Sequence, residues 1–224
     1  QFFAWLKDMM SGDLGVSFRS RVPVVEIIAS HIGPTVELAA AALTVGLVVA
    51  IPAGVSAGMR PGSRLDRIVT GATLVGLALP SFWIGSLFIM FLSVRLGWLP
   101  SQGYTPLSAD PWRNLQQLAM PATTLGVAIS PYLARLARVL VIETRSEQFV
   151  TFARAQGLRE REVRFRIILR NVLPSLVVAI ALTAGFLLAG SIIVEELFNW
   201  PGIGLLISPA VTERDYAMLQ ALIL

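Results

Sequence analysis

The chain has 224 residues, of which 55% are hydrophobic and only 14% are charged, and its mean hydropathy is +0.71. That composition is too apolar for an ordinary soluble domain. The formal net charge is +4, and the chain has one histidine, His31, and no cysteine. Disulfides and thiolate metal sites are therefore excluded, and a zinc site or a histidine-based triad would depend on His31 alone.

The first predicted element is a helix within residues 1–33. Pro23 suits the first position of a helix, where its missing N–H group costs nothing. The apolar residues after it recur with a helical period and would form a stripe along the membrane surface: Val24, Val25, Ile27, Ile28 and Ile32. We therefore expect an extracytoplasmic segment with an amphipathic helix at 1–33 and a transmembrane domain at 34–224.

Four runs without a charged residue follow, and each predicts a membrane-spanning helix. They cover residues 38–59, 68–94, 115–134 and 172–194, with lengths of 22, 27, 20 and 23. About 20 apolar residues are needed to cross the hydrocarbon core of a bilayer. The third run extends to about Ile142, and part of a fifth begins at Tyr216. The alternative, a large soluble protein with buried core helices, leaves too little polar chain to cover them.

Local patterns refine these elements. Gly54 and Gly58 have the small-residue spacing that lets membrane helices approach closely. Pro80, beside Phe82 and Trp83, is compatible with a bend that lines the path, although helix packing is the favoured interpretation. Asp110 followed by Pro111 predicts the start of a short helix. The adjacent Glu195 and Glu196 are interpreted as a solvated helix cap rather than an acid/base pair.

Arginine counts predict which loops face the cytoplasm. Loop 59–67 carries three arginines and loop 143–171 carries seven, whereas loops 96–114 and 195–215 carry one each. Loops rich in Lys and Arg stay on the cytoplasmic side. We therefore place 59–67 and 143–171 in the cytoplasm and 1–33, 96–114 and 195–215 outside.

The most basic stretch, TFARAQGLREREVRFRIILRNVLP at 151–174, contains six arginines in 24 residues. Moving six arginines to the middle of a bilayer would cost on the order of 15–20 kcal/mol, so this stretch does not cross the membrane. Its apolar residues predict two short helices with a turn at Gly157 and Leu158, and the helical spacing places Phe149, Val150, Ala153 and Gly157 on one face of the first. Composition alone leaves two interpretations open, a solvated basic loop and a surface that binds another protein.

ARAQGL at 153–158, followed by LRNVLP at 169–174, resembles the EAA loop of the membrane subunits of ABC importers, and most closely that of the dipeptide/oligopeptide permeases. Further similar blocks are GDLGVSF at 12–18, LPSFWIGSLF at 79–88, RLGWLPSQGY at 95–104 and the stretch 194–224. The chain departs from the motif at Thr151, Phe152 and Arg170, where the family pattern has glutamate, alanine and proline.

The resemblance implies an all-α, polytopic fold, the ABC importer permease fold, with four full spans and part of a fifth in this chain. Six spans belong to the family pattern, so one is expected before Gln1 and another is expected to begin at Tyr216. The implied function is that of a permease subunit in the plasma membrane of a bacterium or archaeon. It would form half of the path for di- or oligopeptides and couple that path to ATP hydrolysis.

The implied partners are a second, similar permease, two cytoplasmic ATP-binding subunits, an extracytoplasmic solute-binding protein and membrane lipid, but no nucleic acid. In this family the EAA loop docks on the ATPase. The residues expected to couple are Ala153, Arg154, Ala155, Gly157, Leu158, Arg159 and Arg161. Gly157 would permit a tight turn or close approach, Ala153 would keep the docking face shallow, and the arginines would pair with carboxylates of the partner.

Polar and aromatic residues within the predicted spans are candidates for the translocation path: Ser81, Phe82, Trp83, Thr123, Thr124, Ser130, Thr183 and Ser191. For Phe82 and Trp83, helix packing is the competing interpretation.

The chain carries no catalytic motif of its own. A phosphate-binding loop needs a GxxxxGK[ST] sequence, and the single lysine, Lys7, follows QFFAWL. No cofactor or metal is expected on this chain, while ATP and magnesium would bind the partner subunits. An intramembrane enzyme is disfavoured because no nucleophile–base pair is evident.

The alternative function is a secondary transporter of small solutes without an ATPase. It is disfavoured because three of the four full spans lack the ionisable residues that such carriers place in the membrane. The solute itself stays open among dipeptides, longer peptides, glutathione and nickel chelates.

Overall fold

The computed structural model describes residues 14–189 and 192–223. Within these ranges every regular element is a helix, and the only extended pairing is an isolated bridge between Val16 and Pro23. The helices are α1 Val24–Met59, α2 Arg64–Ala78, α3 Ser81–Arg95, α4 Pro111–Ser146, α5 Gln148–Ala155, α6 Glu160–Leu188, α7 Ile192–Phe198, α8 Ile203–Thr212 and α9 Tyr216–Ile223. The predicted all-α class is confirmed.

Among the described helices, α1, α4 and α6 are each long and apolar enough to cross a membrane. The second charge-free run is not one straight span, because α2 and α3 meet at an angle of 96°. The break falls at Leu79 and Pro80, where proline has no N–H group to continue the backbone ladder. The structure thus has a bend at Pro80, and the described residues contain three continuous spans plus one bent pair.

Two helix starts were predicted correctly, but the helices they begin are longer than expected. α1 begins after Pro23 and runs without a break to Met59, so residues 24–33 are its first turns rather than a separate surface helix. Asp110 caps α4, its carboxylate accepting the N–H groups of Trp112 at 3.1 Å and Arg113 at 3.0 Å. The prediction of a short helix there was wrong, because α4 continues for 36 residues to Ser146.

The centre of the fold is the contact between α1 and α4. A Cβ atom added to Gly58 would lie 2.8 Å from the carbonyl oxygen of Arg138, and one at Gly54 would collide with the carbonyl of Ala134. Only glycine allows the two backbones to come this close. The close packing predicted from the Gly54/Gly58 spacing is confirmed.

One end of the bundle gathers the loops that were predicted to lie outside. The indole N–H of Trp200 donates to the carbonyl of Pro34 at 2.9 Å, and its ring stands edge-on to Tyr104 with centroids 4.8 Å apart. The N–H of Gly103 donates to the carbonyl of Phe198 at 3.3 Å. Loop 96–114, loop 195–215 and the first turns of α1 therefore meet.

Glu195 at this end corrects one prediction. Its side chain is 1% exposed, so it is not part of a solvated cap. One carboxylate oxygen accepts the N–H of Leu205 at 3.0 Å, and its backbone carbonyl accepts the N–H of Trp200 at 2.8 Å. Glu195 thus folds the stretch 200–205 back onto α7.

Asp215, 3% exposed, performs a similar task where α9 begins. It accepts hydrogen bonds from the Ser17 hydroxyl and from the N–H of Met218. Burial alone would raise the pKa of Asp215, but these bonds and the N–H groups of Phe18 and Arg19 outweigh burial and lower the pKa below its usual value. A carboxylate thereby fixes the turn before α1 onto the last described helix.

The opposite end gathers the two arginine-rich loops. The guanidinium of Arg145 donates to the carbonyl of Gly58 at 3.1 Å, which joins the end of α4 to the end of α1. A buried apolar cluster including Val141, Val150 and Val163 connects α4, α5 and α6 here. Loops 59–67 and 143–171 therefore share one end, as the charge pattern requires if both face the cytoplasm.

The orientation is directly testable because the chain lacks cysteine. Single cysteines at Ser63, Ser101 and Ser146 are to be probed on intact cells with a membrane-impermeant maleimide. We expect the Ser101 variant to react on intact cells, and the Ser63 and Ser146 variants to react only after lysis. Labelling of the Ser146 variant from outside would contradict both the orientation and a cytoplasmic role for 143–171.

Candidate coupling site

The segment that resembles the EAA loop folds as a short helix followed by a tight turn. α5 ends at Ala155, and Gly157 takes a φ of +82°, a left-handed value that side chains disfavour. The N–H of Gly157 donates to the carbonyl of Arg154 at 2.9 Å, and that of Leu158 donates to the carbonyl of Ala153 at 3.3 Å. This pair of bonds is the Schellman arrangement that ends many helices.

The turn at Gly157 and Leu158 was predicted correctly, but the helix after it is not short. α6 begins at Glu160 and continues as a 29-residue helix to Leu188, with a π-helical stretch at Val163–Ile168. The chain therefore leaves the coupling segment directly into a membrane span. The helix before it is joined as closely, because only Glu147 separates α4 from α5.

One face of α5 packs against the transmembrane bundle. Val150 is fully buried in the cluster that also contains Val163 and Ile168, and Ala153, one turn later, is 5% exposed. This corrects the role expected of Ala153, because its side chain faces the bundle and cannot shape an outward docking face. A small residue at that position instead lets α5 lie close to α4 and α6.

The outward face of α5 is apolar and open. Phe152 is 64% exposed on the side of the helix away from Val150, and Phe149 is 43% exposed at the edge of the buried face, four residues before Ala153. With neighbouring residues they line a shallow depression of about 650 Å³ that is made by Ser146, Gln148, Phe149, Thr151, Phe152 and Ala155. Sequence analysis assigned Phe149 to the same face as Val150 and gave Phe152 no role. The signal that could have found them is two phenylalanines three apart, one helical turn, in a segment that cannot enter the membrane.

Charged groups surround the turn. Arg154 pairs with Glu160 at 2.9 Å, which connects the end of α5 to the start of α6. Both side chains are partly exposed, so the pair stabilises the turn weakly. The N–H of Arg159 donates to the Glu162 carboxylate at 3.3 Å. The side chains of Arg159 and Arg161 are exposed beside Leu158, which is 38% exposed, so cationic and apolar surface are adjacent.

The candidate path residues separate into two groups. Phe82 and Trp83 are 49% and 46% exposed at the start of α3, next to Ser81 and just after the 96° bend. Thr124, Ser130 and Thr183 are buried, and each hydroxyl donates to a carbonyl one turn earlier in its own helix. Thr123, half-buried, does the same. Ser191 lies outside the described residues.

Comparison with known proteins identifies the family to which these features belong. A family model described as the inner membrane component of binding-protein-dependent transport systems matches residues 50–224. The chain belongs to this family. It is a permease of the ABC importer class and a multi-pass component of the inner membrane, and no enzymatic activity is indicated for it.

Curated relatives cover the whole chain. The glutathione transport system permease protein GsiC of Escherichia coli strain K12 is 38% identical over 224 residues, which are 100% of this chain and 71% of that protein. The oligopeptide transport system permease protein AppB of Bacillus subtilis strain 168 is 34% identical over 225 residues, which are 99% of this chain and 71% of AppB.

A solved structure supports the fold. A chain in an inward-facing form of the MetNI methionine ABC transporter superposes with a TM-score of 0.67 and covers 89% of each chain. Its sequence identity is 20%, so it supports the architecture of this permease and nothing finer.

Proposed function

We propose that this permease forms one half of a translocation pathway for di- or oligopeptides and that α5 couples the pathway to a cytoplasmic ATPase. The peptide class follows from the relatives, which are named for glutathione, itself a small peptide, and for oligopeptides. Both belong to a family named for its dependence on a binding protein.

The observation that carries the proposal is the two-sided character of α5. Its inner face, Val150 and Ala153, is buried against helices that lead into the membrane, whereas Phe152 is exposed on its outer face and Phe149 at the edge of the buried face. A solvated loop gains nothing from exposing two phenylalanines on a rigid helix, whereas a docking helix needs such anchors. Arginines beside them supply charge-assisted contacts to carboxylates of a partner.

The proposed complex contains a second, similar permease, two ATP-binding subunits and an extracytoplasmic binding protein. ATP and magnesium would bind the ATPase subunits and not this chain. The rival function, a secondary transporter, leaves the exposed face of α5 unexplained. It also requires ionisable groups within the spans, and three of the four predicted full spans have none, while the third, now α4, carries Arg135 and Arg138.

The proposal predicts that Phe152→Ser weakens association with the ATPase subunit by at least about tenfold, because a central aromatic anchor is lost. Binding of the purified ATPase to the permease in nanodiscs, together with binding-protein-stimulated ATP hydrolysis, measures the effect. Phe18→Ser is the matched control for ATPase binding, since Phe18 is 68% exposed but lies at the opposite end of the bundle, in the turn before α1. Equal effects of the two substitutions would contradict docking through α5.

A further inference from the structure

A partly buried ion pair ties α2 to α4 just before α4 leads into α5. Asp66, in the first turn of α2, is 4% exposed, and Arg138 lies on α4. The guanidinium contacts both carboxylate oxygens of Asp66, Nε reaching Oδ1 and Nη2 reaching Oδ2 at 2.9 Å. Two parallel charge-assisted bonds fix orientation as well as distance.

The same carboxylate also holds the turn between α1 and α2. Its Oδ2 accepts the N–H of Gly62 at 2.9 Å, and the N–H of Asp66 donates to the Ser63 hydroxyl at 3.1 Å. Seven residues beyond Arg138, about two helical turns, Arg145 donates to the carbonyl of Gly58 at 3.1 Å. The α1–α2 turn is therefore attached at two points to the part of α4 that carries α5.

We propose that the Asp66–Arg138 pair transmits displacement of α5 to α2 and the bent α2–α3 unit, and thereby couples ATP hydrolysis to opening of the path. Both are positioning residues, because they act through helices and not on the solute. The inference rests on the proposed function, since α5 must be the element that the ATPase moves.

The connection from α5 through the ion pair to α2 ends at the bend between α2 and α3. α2 leads directly to the 96° bend, after which Ser81, Phe82 and Trp83 begin α3. α4 continues to α5 through a single residue, Glu147. A movement of α5 that rotates the end of α4 must carry the start of α2 with it while the pair is intact. Without the pair, the start of α2 loses its charge-assisted attachment to α4 and follows a movement of α4 less closely.

The test measures ATP hydrolysed per solute imported by proteoliposomes that contain the permease, its partner permease, the ATPases and the loaded binding protein. For Arg138→Gln and Asp66→Asn we expect this ratio to rise about tenfold, within the range of coupling free energies between sites. Arg138→Lys keeps the charge and should give a smaller rise. Arg67→Gln is the matched control, since Arg67 is exposed beside Asp66, and it should keep the unsubstituted ratio.

An unchanged ratio in assembled Arg138→Gln transporters would overturn the inference while leaving the proposed function intact. Absence of binding-protein-stimulated ATP hydrolysis in the unsubstituted complex would instead contradict the proposed function and the inference together.

A second measurement does not require the substituted pair to fold. Spin labels on cysteines at Arg64 and Ser146 report the distance between the start of α2 and the end of α4. We expect that distance to stay the same between nucleotide-free and ATP-trapped complexes. A change of more than one helical turn, about 5 Å, would show that the two helices move independently and would overturn the inference.

Discussion

Replacing Gly157 with leucine is expected to abolish the stimulation of ATP hydrolysis by the loaded binding protein, while the permease still inserts and is expressed. Gly157 has a φ of +82°, and for a residue with a Cβ atom that backbone conformation costs roughly 1–2 kcal/mol of stability. A Cβ atom there meets nothing within 4 Å in this chain, so no internal clash prevents folding. The substitution is instead expected to change the angle between α5 and α6 and the surface that is presented to the ATPase.

A leucine at the docking surface adds a steric cost to this backbone strain. Loss of one central contact can weaken a complex by 2 kcal/mol or more, which is roughly thirtyfold in affinity. Uptake and ATP hydrolysis by reconstituted transporters measure the outcome. Normal uptake by the Gly157→Leu transporter would contradict the assignment of this segment as the coupling element.

Gly157→Asn reduces the backbone strain while still adding a side chain. Asparagine tolerates the left-handed region better than other residues with side chains, so the turn itself should persist. We expect this variant to retain more stimulated hydrolysis than Gly157→Leu. If both variants lose all of it, the surface beside Gly157 is so close to the ATPase that any side chain is excluded. If Gly157→Leu alone fails, backbone strain and side-chain bulk at that position account for the loss.

Much of the fold could be predicted because a membrane span can be identified from its own stretch of sequence. A helix in hydrocarbon must be apolar along its length, so charge-free runs located α1, the centre of α4 and most of α6. Asp110 and Pro111 located the start of α4 because a cap acts only on the next turn. The charge-free runs and the cap do not show how far a helix extends into polar sequence. α4, for example, continues past Arg135, Arg138 and Arg145.

The missed features depend on residues that are distant in sequence. Pro80 was compatible with a bend, but the angle of 96° depends on how α2 and α3 pack against other helices. From the sequence alone Glu195 is interpreted as a solvated acid, because only the fold brings its hydrogen-bond donor, the N–H of Leu205, next to it. Arg138 and Asp66 are 72 residues apart, and neither local sequence identifies the other as its partner.

In the coupling segment, too, local features were predicted and features that depend on packing against other helices were missed. The turn at Gly157 was predicted because a turn is a local event, whereas Arg159 and Arg161 were named as coupling residues because the segment resembles the EAA loop. The buried face of α5 was only half predicted. A helical period identifies which residues share a face, but Val150 and Ala153 face inward only because α4 and α6 lie on that side.

The second large effect is expected at the other end of the bundle, where Trp200→Ala should destabilise the permease by roughly 3–5 kcal/mol. Trp200 is fully buried among α1, α7 and loop 96–114. Truncation would leave a cavity, remove the edge-on contact with Tyr104 and leave the carbonyl of Pro34 without its indole donor. For a protein of this size the melting temperature should fall by on the order of 10 °C, measured on the purified permease in detergent.

Two variants show whether burial or mere loss of a tryptophan is responsible. Trp98→Ala removes the same side chain from the same end of the bundle, but Trp98 is 68% exposed, so its melting temperature should change little. Trp200→Phe keeps an aromatic ring in the pocket but removes the N–H donor and part of the ring volume, so the fall in melting temperature should be intermediate. Equal losses from Trp98→Ala and Trp200→Ala would contradict the packing of loops 96–114 and 195–215 around Trp200. Because that packing joins the start of α1 to α7, its failure would also remove the argument that these loops share one face of the membrane.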